Sequence, residues 1–196
     1  MLERGDGRGQ VAPAQFSFRS DRLALDYAAT LMFRGPGPPS PLELLADSAA
    51  LARWAHAAGL AEVETAGADE LLDSAIAVRE AIYALALARI AGGPLGDRDV
   101  AMLNQAASRP ALGVALAASG ALVRSGSLEQ LIATIARDAI ELLGGADAER
   151  LRQCSRDGCT RLFLDRSRGA TRVWCGMREC GNRVNAAAYR RRRAAG

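Results

Sequence analysis

The chain carries, at residues 154–193, the stretch CSRDGCTRLFLDRSRGATRVWCGMRECGNRVNAAAYRRRR, which contains all four of its cysteines and 11 of its 25 arginines. The cysteines form two close pairs, each with four intervening residues, and fifteen residues separate the pairs. Zinc in closed structural sites takes four thiolates in a tetrahedron, and each pair can loop around one side of the ion. The spacing therefore predicts one structural Zn²⁺ ion with the ligands Cys154, Cys159, Cys175 and Cys180.

Two alternatives to zinc fit the same cysteines. Four cysteines allow three disulfide pairings, and thiolate softness also permits an Fe–S centre. The N-terminus, MLERGDGRGQ, lacks the apolar centre of a secretion signal, and no apolar run approaches the ~20 residues that cross a bilayer. We therefore expect a cytoplasmic protein with no membrane partner, in a compartment where disulfides are rare. Four thiolates would fill the metal's coordination shell, so the ion is predicted to stabilise the fold and not to react.

Charge divides the chain into two unequal parts. Residues 1–150 contain 13 arginines and 19 acidic residues, whereas residues 151–196 contain 12 arginines and 3 acidic residues. The net charge is therefore −6 for the first part and +9 for the second. Such a division is typical of a basic module for a polyanion joined to a body with another task. A solvated basic tail is the alternative.

The first part reads as a mostly helical body. We expect a flexible Gly- and Arg-rich arm over residues 1–19, followed by a helix over 20–34 that Ser20 caps. The segment RGPGPPSP at 34–41 ends this helix, because prolines and glycines interrupt helical hydrogen bonding. The predicted domains are the arm at 1–19, a mostly helical regulatory domain at 20–150 and a basic zinc module at 151–196.

The remaining elements of the body follow from helical periodicity and its interruptions. Residues 111–127 fit a small β-hairpin around Ser119-Gly120, with a helix as the alternative. Two short helices are predicted within 41–60, and the second is capped by Asp47 or Ser48 and ends at Gly59. Three further helices are predicted over 68–93, over 97–108 with Asp97 as its cap, and over 127–145 with a Ser127/Gln130 capping box.

The zinc module is predicted to be treble-clef-like. Leu162–Leu164 and Val173-Trp174 are candidate strands of one hairpin, with a turn at Arg168-Gly169. A helix follows Cys180, and Asn182 is expected to cap its start. A cysteine knuckle, a hairpin and a helix that carries the last ligand near its start make up this topology. The fold class is therefore mainly α, with a small zinc module.

The helix after Cys180 presents one face of asparagine, tyrosine and arginine. These residue types contact phosphates, sugars and base edges, and a slim helix fits a major groove about 12 Å wide. The alternative is a solvated helix that only covers the body. The residues predicted to contact nucleic acid are Arg183, Asn185, Arg190, Arg192, Arg193 and Asn182 on this helix, with Arg168 and Arg172 on the hairpin.

No motif in the body predicts catalysis. The sequence has no GxGxxG, GxxxxGK[ST] or HExxH pattern, and its one histidine, His56, lacks an evident acid–base partner. We therefore do not predict an enzyme. A small-molecule effector, a homodimer and a protein-interaction adaptor that docks on an acidic partner remain open. Candidate residues for an effector pocket in the body are Asp26, Arg34, Trp54 and Arg79.

The C-terminal residues resemble the CGNR-type zinc finger family. Its pattern, C-x4-C…F-x-D-x-S-R…W-C-x-M-x-x-C-G-N-R, covers about 40 residues of this chain, with Gly176 in place of a frequent serine. The resemblance implies a zinc finger that binds DNA. The matching residues are Cys154, Cys159, Phe163, Asp165, Ser167, Arg168, Trp174, Cys175, Met177 and Cys180-Gly181-Asn182-Arg183.

The body resembles the domain that usually precedes this finger, which is described as a putative stress-induced transcription regulator. The resemblance implies a transcriptional regulator. One departure is Ala29, where the family usually has asparagine before the threonine. The matching residues are Leu25-Asp26-Tyr27, Thr30-Leu31, Trp54, Gly59-Leu60 and Arg79-Glu80-Ala81.

Overall fold

The computed structural model describes residues 16–60, 62–64 and 69–194. The predicted arm at 1–19 lies outside the described residues except for its last four. No helix in the described part of the chain is both long and apolar enough to cross a membrane. The elements are α1 (Leu23–Ala28), β1 (Leu31–Met32), β2 (Leu42–Glu43), α2 (Ser48–Ala57), β3 (Glu62–Glu64), α3 (Asp69–Ile90), α4 (Asp97–Ala107), β4 (Gly113–Leu116), β5 (Leu122–Ser127), α5 (Leu128–Gly144), β6 (Leu151–Gln153), β7 (Leu162–Leu164) and α6 (Asn182–Ala194).

The body is built on helices α1, α3, α4 and α5, which confirms the predicted mainly helical class. Helix α5 begins with the predicted capping box: the Gln130 amide donates to Ser127 Oγ at 3.3 Å, and the Ser127 amide donates to Gln130 Oε1 at 2.9 Å. Its apolar residues recur at helical spacing and are buried, so one face of the helix packs against the core. These buried residues include Leu128, Leu131, Ile132, Ile135, Ala139 and Leu142.

An aromatic contact joins α1 and α2 within this core. Trp54 is buried, and its ring packs edge-on against Tyr27 with centroids 5.0 Å apart. The Tyr27 hydroxyl donates to the Ala75 carbonyl of α3 at 2.8 Å, so its polar end is satisfied inside the core. Helix α2 is capped by Asp47, as predicted, and ends before Gly59, which has a φ of 68°.

The predicted hairpin at 111–127 is confirmed. Strands β4 and β5 pair antiparallel, from Gly113 opposite Ser125 to Leu116 opposite Leu122. Gly120 has a φ of 82° in the connecting turn, a conformation that favours glycine. Strand β3 pairs parallel with β5, which gives a three-stranded sheet in the order β3-β5-β4.

The helix predicted over 20–34 is wrong in extent, because α1 spans only Leu23–Ala28. Ser20 does not cap it. Instead Asp138 of α5 accepts from the Ala24 amide at 2.8 Å, so a distant carboxylate satisfies the helix start. At the other end, the Thr30 hydroxyl donates to the Tyr27 carbonyl at 2.7 Å, a local bond that competes with continuing the helix.

Two further predictions for the body need correction. The first of the two short helices predicted within 41–60 is absent, and its residues form β2, in which Glu43 pairs with Leu31 of β1. The strand-to-strand pairing links residues on either side of the proline-rich segment, which helical periodicity cannot reveal. Asp97 is the first residue of α4 and not its cap, since Gly96 occupies the cap position.

The zinc module keeps the predicted order of hairpin and helix, but the predicted strand pairing is wrong. Strand β7 pairs with β6, from Leu151 opposite Leu164 to Gln153 opposite Leu162, and Val173-Trp174 forms no strand. Leu151 of β6 and Leu162 and Leu164 of β7 are buried in the core of the body, and this burial holds β6 beside β7. The Cys154 amide donates to the Arg161 carbonyl at 3.0 Å, so the first two cysteines lie in the hairpin's connecting loop.

Helix α6 also starts differently from the prediction. A π-helical turn at Met177–Gly181 leads into it without a break, and Asn182 has helical backbone angles of −64° and −34°. Asn182 is therefore an ordinary helical residue and does not cap the helix. The turn itself contains Cys180, so the fourth cysteine is fixed to the start of α6.

Candidate metal centre

Three separate segments bring the four cysteines together. Cys154 follows β6, Cys159 lies in the loop before β7, Cys175 lies in the loop after it, and Cys180 lies in the π-helical turn. All four Sγ atoms lie within 4.8 Å of one another, and three of the Sγ–Sγ distances are 3.5, 3.8 and 3.9 Å. A tetrahedral zinc ion with bonds of about 2.3 Å requires sulfur separations of about 3.8 Å, so the donor set fits zinc.

The chemistry of the thiols also fits a cation. All four cysteines are free thiols, so the two-disulfide alternative does not describe this structure. Hydrogen bonds from Cys154 and Cys175 lower the pKa of Cys159, whereas contact with Cys154 and Cys159 raises the pKa of Cys175. Sulfurs at this separation repel one another when all are ionised, and a divalent cation between them removes that penalty. The zinc finger therefore has four cysteines that can hold one Zn²⁺ ion.

A small apolar cluster surrounds the sulfurs. Phe163 is fully buried beside the cysteines, and Trp174 packs against the same cluster. A Cβ added to Gly181 would lie 2.6 Å from Met177 Sδ and 3.2 Å from the Trp174 ring. A side chain at Gly181 would therefore displace the exposed end of Met177 and crowd the Trp174 ring at the start of α6.

A buried carboxylate shapes the loop between the cysteine pairs. Asp165 accepts from the Ser167 amide at 2.9 Å, from the Ser167 hydroxyl at 2.5 Å and from the Arg172 amide at 2.9 Å. The hydrogen bonds from Ser167 hold the pKa of Asp165 below its usual range. Asp165 was not among the predicted site residues, although it matches the family motif.

Arg172, a predicted nucleic-acid contact, is engaged inside the protein. Its guanidinium lies 4.4 Å from the centre of the Phe163 ring and donates to Asp21 Oδ2 at 2.8 Å. It also donates to the carbonyls of Arg19 at 3.1 Å and of Cys175 at 2.7 Å. Arg172 therefore connects the finger to the segment that precedes α1.

The other predicted nucleic-acid residues lie on the surface of the zinc module. No residue of α6 is buried, and Arg168 lies in the exposed turn after β7. Within the described part of the chain, none of these arginines pairs with a carboxylate. The structure brings together on α6 the residues Asn182, Arg183, Asn185, Arg190, Arg192 and Arg193.

The four residues predicted for an effector pocket are each engaged in interior contacts. Trp54 packs in the core, and Asp26 accepts from the amides of Arg19 at 2.9 Å and Ser20 at 3.0 Å. Arg79 is buried and donates to both Glu43 oxygens at 2.6 and 2.7 Å. Arg34 pairs with Glu80 and lies 4.1 Å above the Tyr83 ring. None of the four lines the cavity described next.

A cavity of about 210 Å³ lies between the body and the finger. We call it the junction cavity. The sequence held no signal for it, because its walls come from segments more than a hundred residues apart. The body contributes Ser17, Arg19, Ala29, Leu31, Met32 and Phe33, and the finger contributes Arg156, Cys159, Thr160, Arg161, Cys175, Glu179, Cys180 and Arg183.

Two family models match this chain. Residues 21–146 match ABATE, which is described as a putative stress-induced transcription regulator. Residues 150–193 match the CGNR zinc finger. None of the curated proteins matches the chain. The two matches follow one another along the sequence in the order that the residue motifs predicted.

Proposed function

This chain belongs to the ABATE family of putative stress-induced transcription regulators and carries a CGNR zinc finger, and from that premise we propose that it binds duplex DNA through α6. The observation that carries the proposal is the run Arg190–Arg193, which is exposed and has no carboxylate partner in the described structure. Unpaired arginines on a projecting helix attract phosphates, because each neutralised phosphate releases counterions. The net charge of +9 over residues 151–196 supports the same conclusion.

The proposed interface is the solvent-facing side of α6 with the adjacent turn. Arginines supply phosphate contacts, and asparagine supplies hydrogen bonds to base edges. Arg172 is left out, because its guanidinium already has interior partners. The interface comprises Asn182, Arg183, Asn185, Arg190, Arg192, Arg193 and Arg168.

In this proposal the zinc ion organises the finger. Zn²⁺ held by Cys154, Cys159, Cys175 and Cys180 supplies folding free energy to a segment with a small apolar core. Because Cys180 lies in the turn that leads into α6, its position fixes where the helix begins. The four thiolates complete the shell, so we assign the site no catalytic role.

The body would then serve for sensing or dimerisation in the cytoplasm. Hairpin β4–β5 supports a contact with a second copy or another protein, because it exposes apolar side chains on the surface. Val114 is 66% exposed and Leu116 is 78% exposed. The same observation supports the competing function, a zinc-stabilised adaptor that binds an acidic protein and no DNA.

The test is a salt titration of DNA binding by the zinc-loaded full chain, measured by fluorescence anisotropy with random-sequence duplex. The double variant Arg190→Ala/Arg192→Ala should bind at least about tenfold more weakly. Its slope of log affinity against log salt should be shallower by about 1.8, since each lost phosphate contact contributes about 0.9. Zinc removal should abolish binding.

The matched control is Arg89→Ala/Arg98→Ala, which removes the same charge from exposed positions on the body. It should leave both the affinity and the salt slope nearly unchanged. Equal losses in the two double variants would show that net charge, and not α6, determines binding. Unchanged binding in the α6 variant would contradict the proposal, and saturable binding to an acidic protein instead would favour the adaptor.

A further inference from the structure

The junction cavity has two chemically different walls. On the body side, Leu31, Met32 and Phe33 present partly exposed apolar side chains. On the finger side, guanidinium groups and the cysteine cluster line the space. Phe33 has a φ of 57°, which is uncommon for a residue with a side chain, and its ring lies 5.9 Å from the Arg156 guanidinium. An apolar surface facing a cationic one suits a ligand that has both kinds of group.

Two residues that line this cavity carry a polar side-chain atom without a partner. Arg156 Nε and Ser17 Oγ are both buried, and neither has a hydrogen-bond partner among the described residues. Buried donors without partners are rare and costly, so two of them on residues that line one cavity favour a hydrogen-bond acceptor from outside the chain. Arg161 is already engaged, since it donates to the Ser17 carbonyl at 3.0 Å and lies 3.7 Å from Asp26. The buried donors without partners are thus those of Arg156 and Ser17.

The charges in the cavity walls limit the charge of the ligand. Four arginines line the space, and Glu179, which pairs with Arg19, is the carboxylate among the lining residues. A zinc ion with four thiolates carries about two net negative charges, which offset two of the guanidinium groups. Asp26 lies behind Arg161 and accepts from two backbone amides as well. Asp26 does not line the cavity, and the two backbone amides offset part of its charge. Among the lining groups, Glu179 and the zinc centre together offset three of the four guanidinium groups, which leaves one positive charge. This balance accommodates a ligand with one negative charge and disfavours a ligand with two or more.

Neutralisation of the zinc centre does not by itself explain these arginines. Arg156 does contact the cluster, because its guanidinium lies within hydrogen-bonding reach of the Cys159 and Cys180 sulfurs. Its Nε nevertheless has no hydrogen-bond partner among the described residues. Arg183, the last residue of the CGNR motif, lines the same cavity from an exposed position and has no ion pair in the described structure.

We propose that the junction cavity binds a small monocarboxylate with a short apolar body. The carboxylate accepts hydrogen bonds from Arg156 and Ser17, and the apolar part lies against Leu31, Met32 and Phe33. Guanidinium groups bind planar carboxylates through paired hydrogen bonds, which favours this headgroup. The volume of about 210 Å³ is below the roughly 300 Å³ of pockets for drug-sized molecules, so the ligand is small.

The experiment is calorimetric titration of the zinc-loaded full chain in the absence of DNA, which makes its outcome independent of the proposed DNA binding. The probes are acetate, butyrate, hexanoate and benzoate, with benzamide as the uncharged counterpart of benzoate and inorganic phosphate as the anion without an apolar body. We expect saturable binding that strengthens from acetate to hexanoate or benzoate. Benzamide should not bind, and phosphate should bind more weakly than the best carboxylate.

Three variants locate the site. Arg156→Gln and Ser17→Ala should each weaken binding of the best carboxylate, by about tenfold and about fivefold respectively. Arg178→Gln is the matched control: it removes an exposed arginine of the finger that does not line the cavity, and it should bind like the parent. Zinc content is measured for each, and if Arg156→Gln loses zinc, Ser17→Ala carries the test.

Several results would overturn the inference. It fails if no carboxylate of the series binds saturably, or if benzamide binds as well as benzoate. It fails also if phosphate binds more tightly than every carboxylate, because the apolar wall would then have no role. Parent-like binding by both Ser17→Ala and a zinc-replete Arg156→Gln would place any carboxylate elsewhere on the protein.

Discussion

The body and the finger are stabilised in different ways. The body buries a large cluster of leucine, isoleucine, alanine and aromatic side chains from its helices. The finger's own cluster consists of Cys154, Phe163, Cys175 and Cys180, with Cys159 and Trp174 at its edge. Apolar burial of this small extent cannot offset the conformational entropy of the segment, whereas a metal ion can. The body therefore folds by burial, and the finger depends on its ligands.

The boundary between the part of the chain that is stabilised by apolar burial and the part that depends on the metal does not lie at the first cysteine. Leu151, Leu162 and Leu164 lie in the core of the body, although the last two fall between the second cysteine and the third. The hairpin β6–β7 thus depends on the body, and the remaining part of the finger, including α6, depends on the metal. Arg172 joins the two by bonding both Asp21 and the Cys175 carbonyl.

The largest expected effect comes from removing one metal ligand. Cys175→Ser should lose stoichiometric zinc and unfold residues 165–194, because structural zinc contributes on the order of 10 kcal/mol to such modules. The body and hairpin β6–β7 should keep their protection against hydrogen exchange. The measurement combines zinc content with hydrogen-exchange mass spectrometry.

Ser155→Ala is the control for this variant, since it changes an exposed neighbour of Cys154 and leaves the four thiolates intact. It should retain zinc and the protection of α6. Full protection of α6 in zinc-free Cys175→Ser would show that burial alone stabilises the finger. Loss of protection in the body's helices would show that the two regions unfold as one unit.

A core substitution should produce the opposite pattern. Trp54 is 1% exposed and contacts Tyr27, so Trp54→Ala should lower the free energy of unfolding of the body by about 3–5 kcal/mol. Zinc should still bind with unchanged stoichiometry, because no cysteine touches this part of the core. Urea unfolding monitored by circular dichroism measures the loss.

Trp54→Phe preserves most of the apolar volume and should lose clearly less stability than Trp54→Ala. Equal losses for the two would indicate a specific role of the indole ring. Loss of zinc in Trp54→Ala, under conditions where the body remains folded, would contradict the separation of the two regions.

A smaller effect is expected from the ion pair of the buried Arg79 with the partly exposed Glu43. Burial alone would raise the pKa of Glu43, but hydrogen bonds from Arg79 and from the Leu45 amide outweigh it and hold the pKa below its usual value. The pair therefore stabilises the body at pH values above the usual glutamate pKa. This contribution is lost as the pH falls through the lowered pKa of Glu43 in the folded protein. Glu43→Gln should cost about 1–2 kcal/mol at neutral pH, since Glu43 is partly exposed.

The measurement is the urea midpoint between about pH 7 and about pH 3, on either side of the usual glutamate pKa. The difference between the parent and Glu43→Gln should shrink as the pH falls. Glu70→Gln, an exposed carboxylate at the start of α3, is the control and should track the parent throughout. A difference that stays constant with pH would mean that the charge on Glu43 does not contribute.

The features that the sequence predicted correctly are those that depend on neighbouring residues. The capping box of α5, the stop at Gly59 and the turn at Gly120 each follow from a few adjacent side chains. The four-cysteine cluster belongs to this group too, because two short cysteine loops constrain the ligand set on their own. The bounds of α3, α4 and α5 and the turn chemistry were therefore predicted well from the sequence.

Apart from the helix caps assigned to Asp97 and Asn182, the incorrect predictions involve partners far apart in the chain. The apolar run Leu162–Leu164 predicts strand β7 correctly, and Val173-Trp174 is the next apolar run across a glycine turn. Strand β6 pairs with β7 instead, because Leu151 is buried in the body's core. The short α1 likewise depends on Asp138, more than a hundred residues away. The junction cavity has the same origin, and no local pattern in either wall indicates the other.

The smallest predicted effect compares the starts of one helix from each region. Ser127 caps α5 through its side chain, so Ser127→Ala should lower the free energy of unfolding by about 1 kcal/mol, and Ser127→Asp should retain most of the stability. Asn182 at the start of α6 is already helical, because the turn that contains Cys180 leads directly into the helix. Asn182→Ala should therefore change the stability of zinc-loaded protein by no more than about 0.5 kcal/mol, as for an ordinary surface position. Urea unfolding with matched zinc content measures both, and a cost for Asn182→Ala equal to that for Ser127→Ala would mean that α6 begins by side-chain capping and not by its attachment to the metal site.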